Sequence, residues 1–182
     1  GSLSLGGLSN SWGCGVAKFS EDEIPLPSAL RKELDISYKH ITKRIGISGS
    51  KCDEMSGYFG DHGKIQEPIK LSQVMLDLLK NYEFKKTSNR FRNFKMGRAR
   101  LAVLSEDFSN RSGCNSSGNC TWGCSRRSLY SAVYDIQKLQ QFTNFQLITG
   151  YIVDSIKSKK DQCIIFSCDE NGKSFNFKAK KV

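Results

Sequence analysis

No run among the 182 residues is apolar for long enough to span a bilayer, and no apolar stretch follows a basic start as in a leader peptide. Nothing in the chain addresses a membrane. Acidic residues are in deficit, with 18 Asp and Glu against 28 Lys and Arg, a net charge of +10. No Gly-x-Gly-x-x-Gly pattern is present, so the backbone cradle that holds a dinucleotide pyrophosphate is missing. Histidine is nearly absent. His40 sits beside Lys39 in a helical pattern and reads as an exposed structural residue, which leaves His62 as the other imidazole. No internal repeat is evident.

What is present is globular. Apolar residues make up 38% and charged residues 25%, enough for one domain with a core and too little chain for two ordinary ones. The positive charge is densest from Lys85 to Arg100, where Phe91 and Phe94 stand between arginines. Such a patch could stack bases and hold phosphates. No RNA-binding signature accompanies it, so a solvated surface with core-facing aromatics is the favoured reading and nucleic acid is not expected. Seven cysteines are an odd count, which with the missing leader points to a reducing, cytoplasmic setting. Cys163 and Cys168 bracket an apolar run and read as buried thiols.

Along the chain, glycines crowd the start and Pro25 and Pro27 close that segment. Ser28 then caps a helix to about Ile45, with Leu30, Leu34, Ile41 and Ile45 on one face and Gly46 as the stop. Residues 48–68 are polar and glycine-rich, a surface excursion. Leu71, Val74, Met75, Leu78, Leu79 and Tyr82 follow helical spacing and are expected in the core. Residues 99–104 read as a short strand, 105–123 as a loop, and 126–141 as a helix with Leu129, Val133, Ile136 and Leu139 inward. Strands over 145–156, 162–168 and 174–180 form a meander, the last turn carried by Asn171-Gly172. The fold class is mixed α+β.

The most informative stretch is Gly6-Gly7-Leu8-Ser9-Asn10-Ser11-Trp12-Gly13. A glycine pair bares backbone amides to a flat or anionic ligand, Ser9 and Asn10 add short hydrogen-bonding groups, and Trp12 adds an aromatic wall. Glycine-serine linkers share this composition. The segment resembles the flavin-side loop of the glucose–methanol–choline (GMC) oxidoreductases, and is most similar to the pyranose oxidase and sugar dehydrogenase branch. That branch carries a histidine, covalently joined to flavin, where Ser11 stands here. The resemblance therefore implies FAD bound without a covalent link. It extends to the helix after Pro27 with Tyr38, to Arg126-Arg127-Ser128-Leu129-Tyr130-Ser131-Ala132, and to Phe145–Ile156, where Val153 matches a valine whose backbone contacts the adenine. The residues alone make Val153 an ordinary buried strand position.

The resemblance implies an internal piece of a flavoprotein: a flavin-contacting loop in 1–27, a helical peripheral region in 28–104, a cysteine-rich loop in 105–125, and a helix plus meander of the FAD domain in 126–182. The parent would oxidise a CH–OH group of a sugar or related alcohol by hydride transfer to flavin. Its catalytic base lies beyond this chain, so the piece is expected to be inactive by itself. The electron acceptor and oligomeric state are not set by these residues. Cys114-x5-Cys120-x3-Cys124 offers three thiolates on one loop. Zinc wants a fourth ligand, which is not obvious, and the spacing resembles that of sugar dehydrogenases holding an iron–sulfur cluster. Free or disulfide-linked thiols are favoured over a metal. The alternative to the flavin reading is a basic nucleic-acid-binding module with a cysteine-bound metal.

Overall fold

A computed structural model describes residues 2–181; Gly1 and Val182, the ends of the expected first and last segments, lie outside the described residues. The architecture is mixed α and β, with four helices and one three-stranded antiparallel sheet among the described residues. The chain divides into two compact units, Gly1–Asp135 and Ile136–Val182.

Unit 1 is organised around the extended segment from Arg100 to Leu104. Its burial alternates, with Arg100, Ala102 and Leu104 buried and Leu101 and Val103 half-buried, as a period-two chain requires. It is not a regular strand. Isolated bridges tie Leu101 to both Gly15 and Ser48, and Val103 to Leu129. The Ala102 N–H donates to the Cys14 carbonyl at 2.8 Å, and the Tyr130 N–H donates to the Ala102 carbonyl at 2.9 Å. The core gathers on this hub: Cys14, Ile45, Ile47 and Ala102, with Trp12, Val16, Ile65 and Tyr130 among the residues packed around them.

Helix α1 spans Ser28–Ile45, as the spacing predicts, but Pro27 rather than Ser28 occupies the cap position and no side chain caps it. Gly46 ends it in the left-handed region (φ 74°), where a Cβ would run into Leu104. Leu30 and Ile41 are exposed, so the expected apolar face is buried only toward the C-terminal turn, at Thr42 and Ile45. The short α2, Ser56–Phe59, interrupts the polar excursion. Helix α3, Gln73–Lys85, starts at Ser72, whose hydroxyl accepts from the Met75 N–H. The core expected on this helix is largely absent. Val74, Met75 and Leu78 face solvent, and Tyr82 is its buried residue. Tyr82 instead anchors a local cluster, edge-on to Phe91 and Phe94.

The helix expected from 126 is much shorter. Helix α4 is Val133–Leu139 and straddles the division between the units. Arg127 takes a left-handed conformation (φ 56°) and Leu129 is committed to the bridge with Val103, so the backbone there cannot coil. Leu139 is exposed, contrary to its expected inward placing.

In unit 2 the sheet runs β1-β2-β3, with β1 Tyr151–Lys159, β2 Gln162–Asp169 and β3 Ser174–Ala179. The meander expected from the sequence is present. The first strand starts later than its apolar run, after Gly150 turns the chain at φ 84°. The register slips between Val153 and Ser155, a bulge that sets Asp154 out of step. The Asp169 carboxylate closes the second turn by accepting from the Asn171 and Lys173 N–H groups at 3.0 and 2.9 Å. Tyr151 reaches across β2 to stack edge-on against Phe175 and Phe177.

Candidate functional site

The glycine pair opens a tight 3-10 turn, Gly7–Asn10. Gly6 and Gly7 both have positive φ, 86° and 56°, the conformation that makes glycine the natural residue there. The two positions differ in surroundings. A Cβ on Gly6 would stand 2.6 Å from Val133 Cγ2, whereas one on Gly7 would meet nothing nearer than 4.0 Å, and one on Gly13 nothing within 4 Å. Gly6 faces the protein; Gly7 and Gly13 leave bare backbone toward open space. Asn10 and Ser11 are exposed beside them. The strip from Gly7 to Gly13 thus presents open backbone at Gly7 and Gly13, the short polar side chains of Asn10 and Ser11, and the exposed side chain of Leu8, while the Gly7, Ser9 and Ser11 N–H groups are used within the turn.

The turn is held from a distant part of the chain. Ser131 is buried, and its hydroxyl donates to Asn10 Oδ1 at 2.7 Å. The Ala132 N–H donates to Ser9 Oγ at 2.9 Å, and Ser9 Oγ donates to the Gly6 carbonyl. The Asn10 amide nitrogen closes the loop onto the Leu5 carbonyl at 2.8 Å. Trp12 donates through Nε1 to the Tyr130 carbonyl at 2.9 Å and packs on the core cluster. The structure therefore brings together Gly6, Gly7, Ser9, Asn10 and Trp12 with the stretch Tyr130–Val133. Ser131 was not singled out by the sequence; a lone serine in a Tyr-Ser-Ala run carries no signal that it clamps a loop more than a hundred residues away.

Val153 lies in unit 2, on β1 next to the bulge. It is exposed at 55%, not buried as the residues alone suggest.

The clustered cysteines are spread over different surroundings. Cys114 lines a cavity of about 390 Å³ with Glu67, Ile69 and Asn115 among its neighbours. Cys120 is exposed on the 3-10 turn Cys120–Trp122. Cys124 is half-buried. Burial raises its pKa, but the N–H groups of Leu129, Ser128 and Arg126 and the Ser128 hydroxyl outweigh that and pull it below the ordinary thiol value. Among the described residues, no three His, Cys, Asp or Glu side chains stand together as a metal-binding group.

Cys14 behaves oppositely. It is 2% exposed, and burial, reinforced by the nearby Cys120 and Cys124, pushes its thiol up to about 11. Between the ordinary value of 9.0 and about 11 the unfolded chain has lost this proton while the folded chain keeps it. Stability present below pH 9 should then decline as pH rises toward 11, by about 2–3 kcal/mol from this thiol. Urea unfolding across that range checks the sign, and Cys14→Ser should flatten the slope. In native protein, alkylation should reach Cys124 well before Cys14; equal labelling would contradict the burial argument.

In the basic stretch, Phe91 and Phe94 contact each other and Tyr82, with ring centroids 5.6–6.1 Å apart. The Tyr82 hydroxyl donates to Glu54 and lies 3.0 Å from the Phe94 carbonyl. These aromatics are engaged within the protein. No helix among the described residues is long and apolar enough to cross a membrane. No protein-family model matches the chain, and no curated protein matches it.

Proposed function

We propose that this chain supplies a flavin-facing portion of an FAD-dependent oxidoreductase of the GMC type, acting on a CH–OH group of a sugar or related alcohol. One observation carries the reading. The two segments that resemble the family in sequence, Gly6–Gly13 and Arg126–Ala132, are fastened to each other by the Ser131–Asn10, Ala132–Ser9 and Trp12–Tyr130 hydrogen bonds. A linker of similar composition would need no such fastening.

FAD, when bound, supplies hydride acceptance from the alcohol carbon. This chain's residues orient it. Gly7 and Gly13 let the backbone approach the ring system closely, and the polar side chains of Asn10 and Ser11 border it. Ser9 is held inward by Ala132 and keeps the turn in shape. Val153 enters the reading through sequence alone, at the position of the family valine whose backbone contacts the adenine. Ser11 has no imidazole with which to form a covalent bond, so the flavin is held by contacts alone. The proton acceptor for the alcohol is not assigned to either histidine of this chain, and the iron–sulfur cluster of similar sugar dehydrogenases is not part of the proposal.

The test uses the protein to which this segment belongs. Acid precipitation should release its FAD into the supernatant, and Asn10→Ala should lower flavin affinity by roughly tenfold, because the Asn10 amide holds the turn in shape through Ser131 and Leu5. A yellow pellet would overturn the non-covalent assignment. A purified protein with no flavin and no FAD binding would overturn the reading itself.

A further inference from the structure

A second cavity of about 390 Å³ lies beside α2, lined by Lys51, Ser56, Asp61, His62, Ile65 and Arg100 among others. Its floor holds an electrostatic anomaly. Arg100 is 2% exposed, yet no carboxylate among the described residues pairs with it within 4.0 Å. Nη1 donates to the Gly60 carbonyl, Nη2 donates to the Ser50 carbonyl at 2.7 Å, and the Phe59 ring lies 5.6 Å from Cζ. Its Nε is buried with no partner. Asp53 and Asp61 act only from a distance, their carboxylates accepting from the Arg98 N–H at 2.6 Å and the Gly63 N–H at 2.8 Å. Asp61 is further offset by Lys39 at 3.8 Å. A positive charge out of water that touches backbone carbonyls, a neutral imidazole and a ring, with its carboxylates only at a distance, is costly unless an anion completes the site.

The neighbouring groups have matching polarity. His62 is 4% exposed, and its Nδ1 stands 3.0 Å from Arg100 Nη1 and 3.2 Å from the Gly60 carbonyl. A guanidinium only donates, so Nδ1 accepts and the ring proton belongs on Nε2. Burial, with Arg100 and Lys18 adding to it, lowers the His62 pKa and keeps the ring neutral at pH 7. Lys51, at the rim, is exposed and makes no ion pair among the described residues.

We propose that this cavity is a binding site for a small oxyanion, a carboxylate or phosphate group, which supplies the counter-charge to Arg100 and is drawn in by Lys51. It does not rest on the flavin reading, and none of its residues belongs to the Gly6–Gly13 strip. The competing occupant is a water molecule, which would hydrate the Arg100 guanidinium but bring no charge.

The experiment is a titration of the 15N-labelled chain with acetate and, separately, with inorganic phosphate, against chloride at equal ionic strength. The arginine Nε–H resonances are the readout. The Arg100 signal should shift saturably with at least one oxyanion, with a dissociation constant on the order of 1 mM. Which anion saturates it identifies the group recognised. Lys51→Ala, a surface change that leaves the fold intact, should weaken that binding about two- to five-fold, the worth of one exposed charge. A drift no different from chloride would mean water alone and overturn the proposal. So would undiminished affinity in Lys51→Ala, or saturable binding that survives in folded Arg100→Gln. Should Arg100→Gln fail to fold, the Lys51→Ala comparison decides alone.

Discussion

Replacing Arg111 by alanine should destabilise unit 1 by about 3–5 kcal/mol, a large share of an ordinary domain's stability. Arg111 is 4% exposed and its guanidinium ties its own segment to two other stretches of chain. Nη1 donates to the Ile45 carbonyl at the end of α1, Nε to the Arg127 carbonyl at 2.8 Å, and Nη2 to the Ser128 carbonyl at 2.9 Å. The cation also lies 5.6 Å from the Tyr130 ring centre and 5.5 Å from that of Tyr134. Alanine would strand the Ile45 and Arg127 carbonyls, leave that of Ser128 with the Leu104 N–H alone, and open a void beneath two aromatic rings. Arg111→Lys should recover only part of the loss, because an ammonium cannot reproduce a planar fork aimed at separate acceptors. Urea unfolding measures both variants. A loss below 1 kcal/mol for alanine would mean that these contacts are not what fastens α1 to the 127–128 segment.

Gly6→Ala should be the second most damaging change, and Gly7→Ala its control. At Gly6 an added Cβ meets a left-handed backbone and two atoms closer than 3.0 Å, Val133 Cγ2 at 2.6 Å and Asn10 Oδ1 at 2.9 Å. Strain and overpacking together suggest a loss of about 2–4 kcal/mol. At Gly7 only the left-handed conformation opposes the substitution, worth about 1 kcal/mol. Hydrogen exchange over residues 7–11 should accelerate strongly in the first variant and slightly in the second. If the flavin reading is right, Gly6→Ala in the full protein should also lose FAD. Equal stability of the two variants would show that Val133 does not press on this turn.

Where the sequence could be read correctly, the determinants were local. Helix α1 was legible from its spacing between Pro27 and Gly46, and the β2–β3 turn from Asn171-Gly172. The failures came where long-range pairing overrode local pattern. Leu129 and Val133 sit four apart and suggest one helical face, but Leu129 is taken by Val103 and the chain extends until Val133. Val74, Met75 and Leu78 have the right period for a buried stripe, yet this unit offers α3 no surface to cover them. In the site, the glycine pair was visible as a backbone feature. Ser131, Arg111 and Arg100 were not, because a buried polar residue is defined by partners distant in sequence.

The stitching of the Gly6–Asn10 turn to Ser131 also sets an order of events in folding. In unit 2 each strand pairs with the next in sequence, so loop closure is short and the meander should form quickly. In unit 1 the ties run from Cys14 to Ala102, from Ile45 to Arg111 and from Asn10 to Ser131. The early glycine turn therefore has no lasting shape until the chain beyond residue 131 has been synthesised, and its exposed amides stay open to solvent and to chaperones meanwhile. Pulse-labelling hydrogen exchange during refolding should show the 151–179 amides protected first and those of residues 7–11 last; simultaneous protection would mean that the two units fold as one.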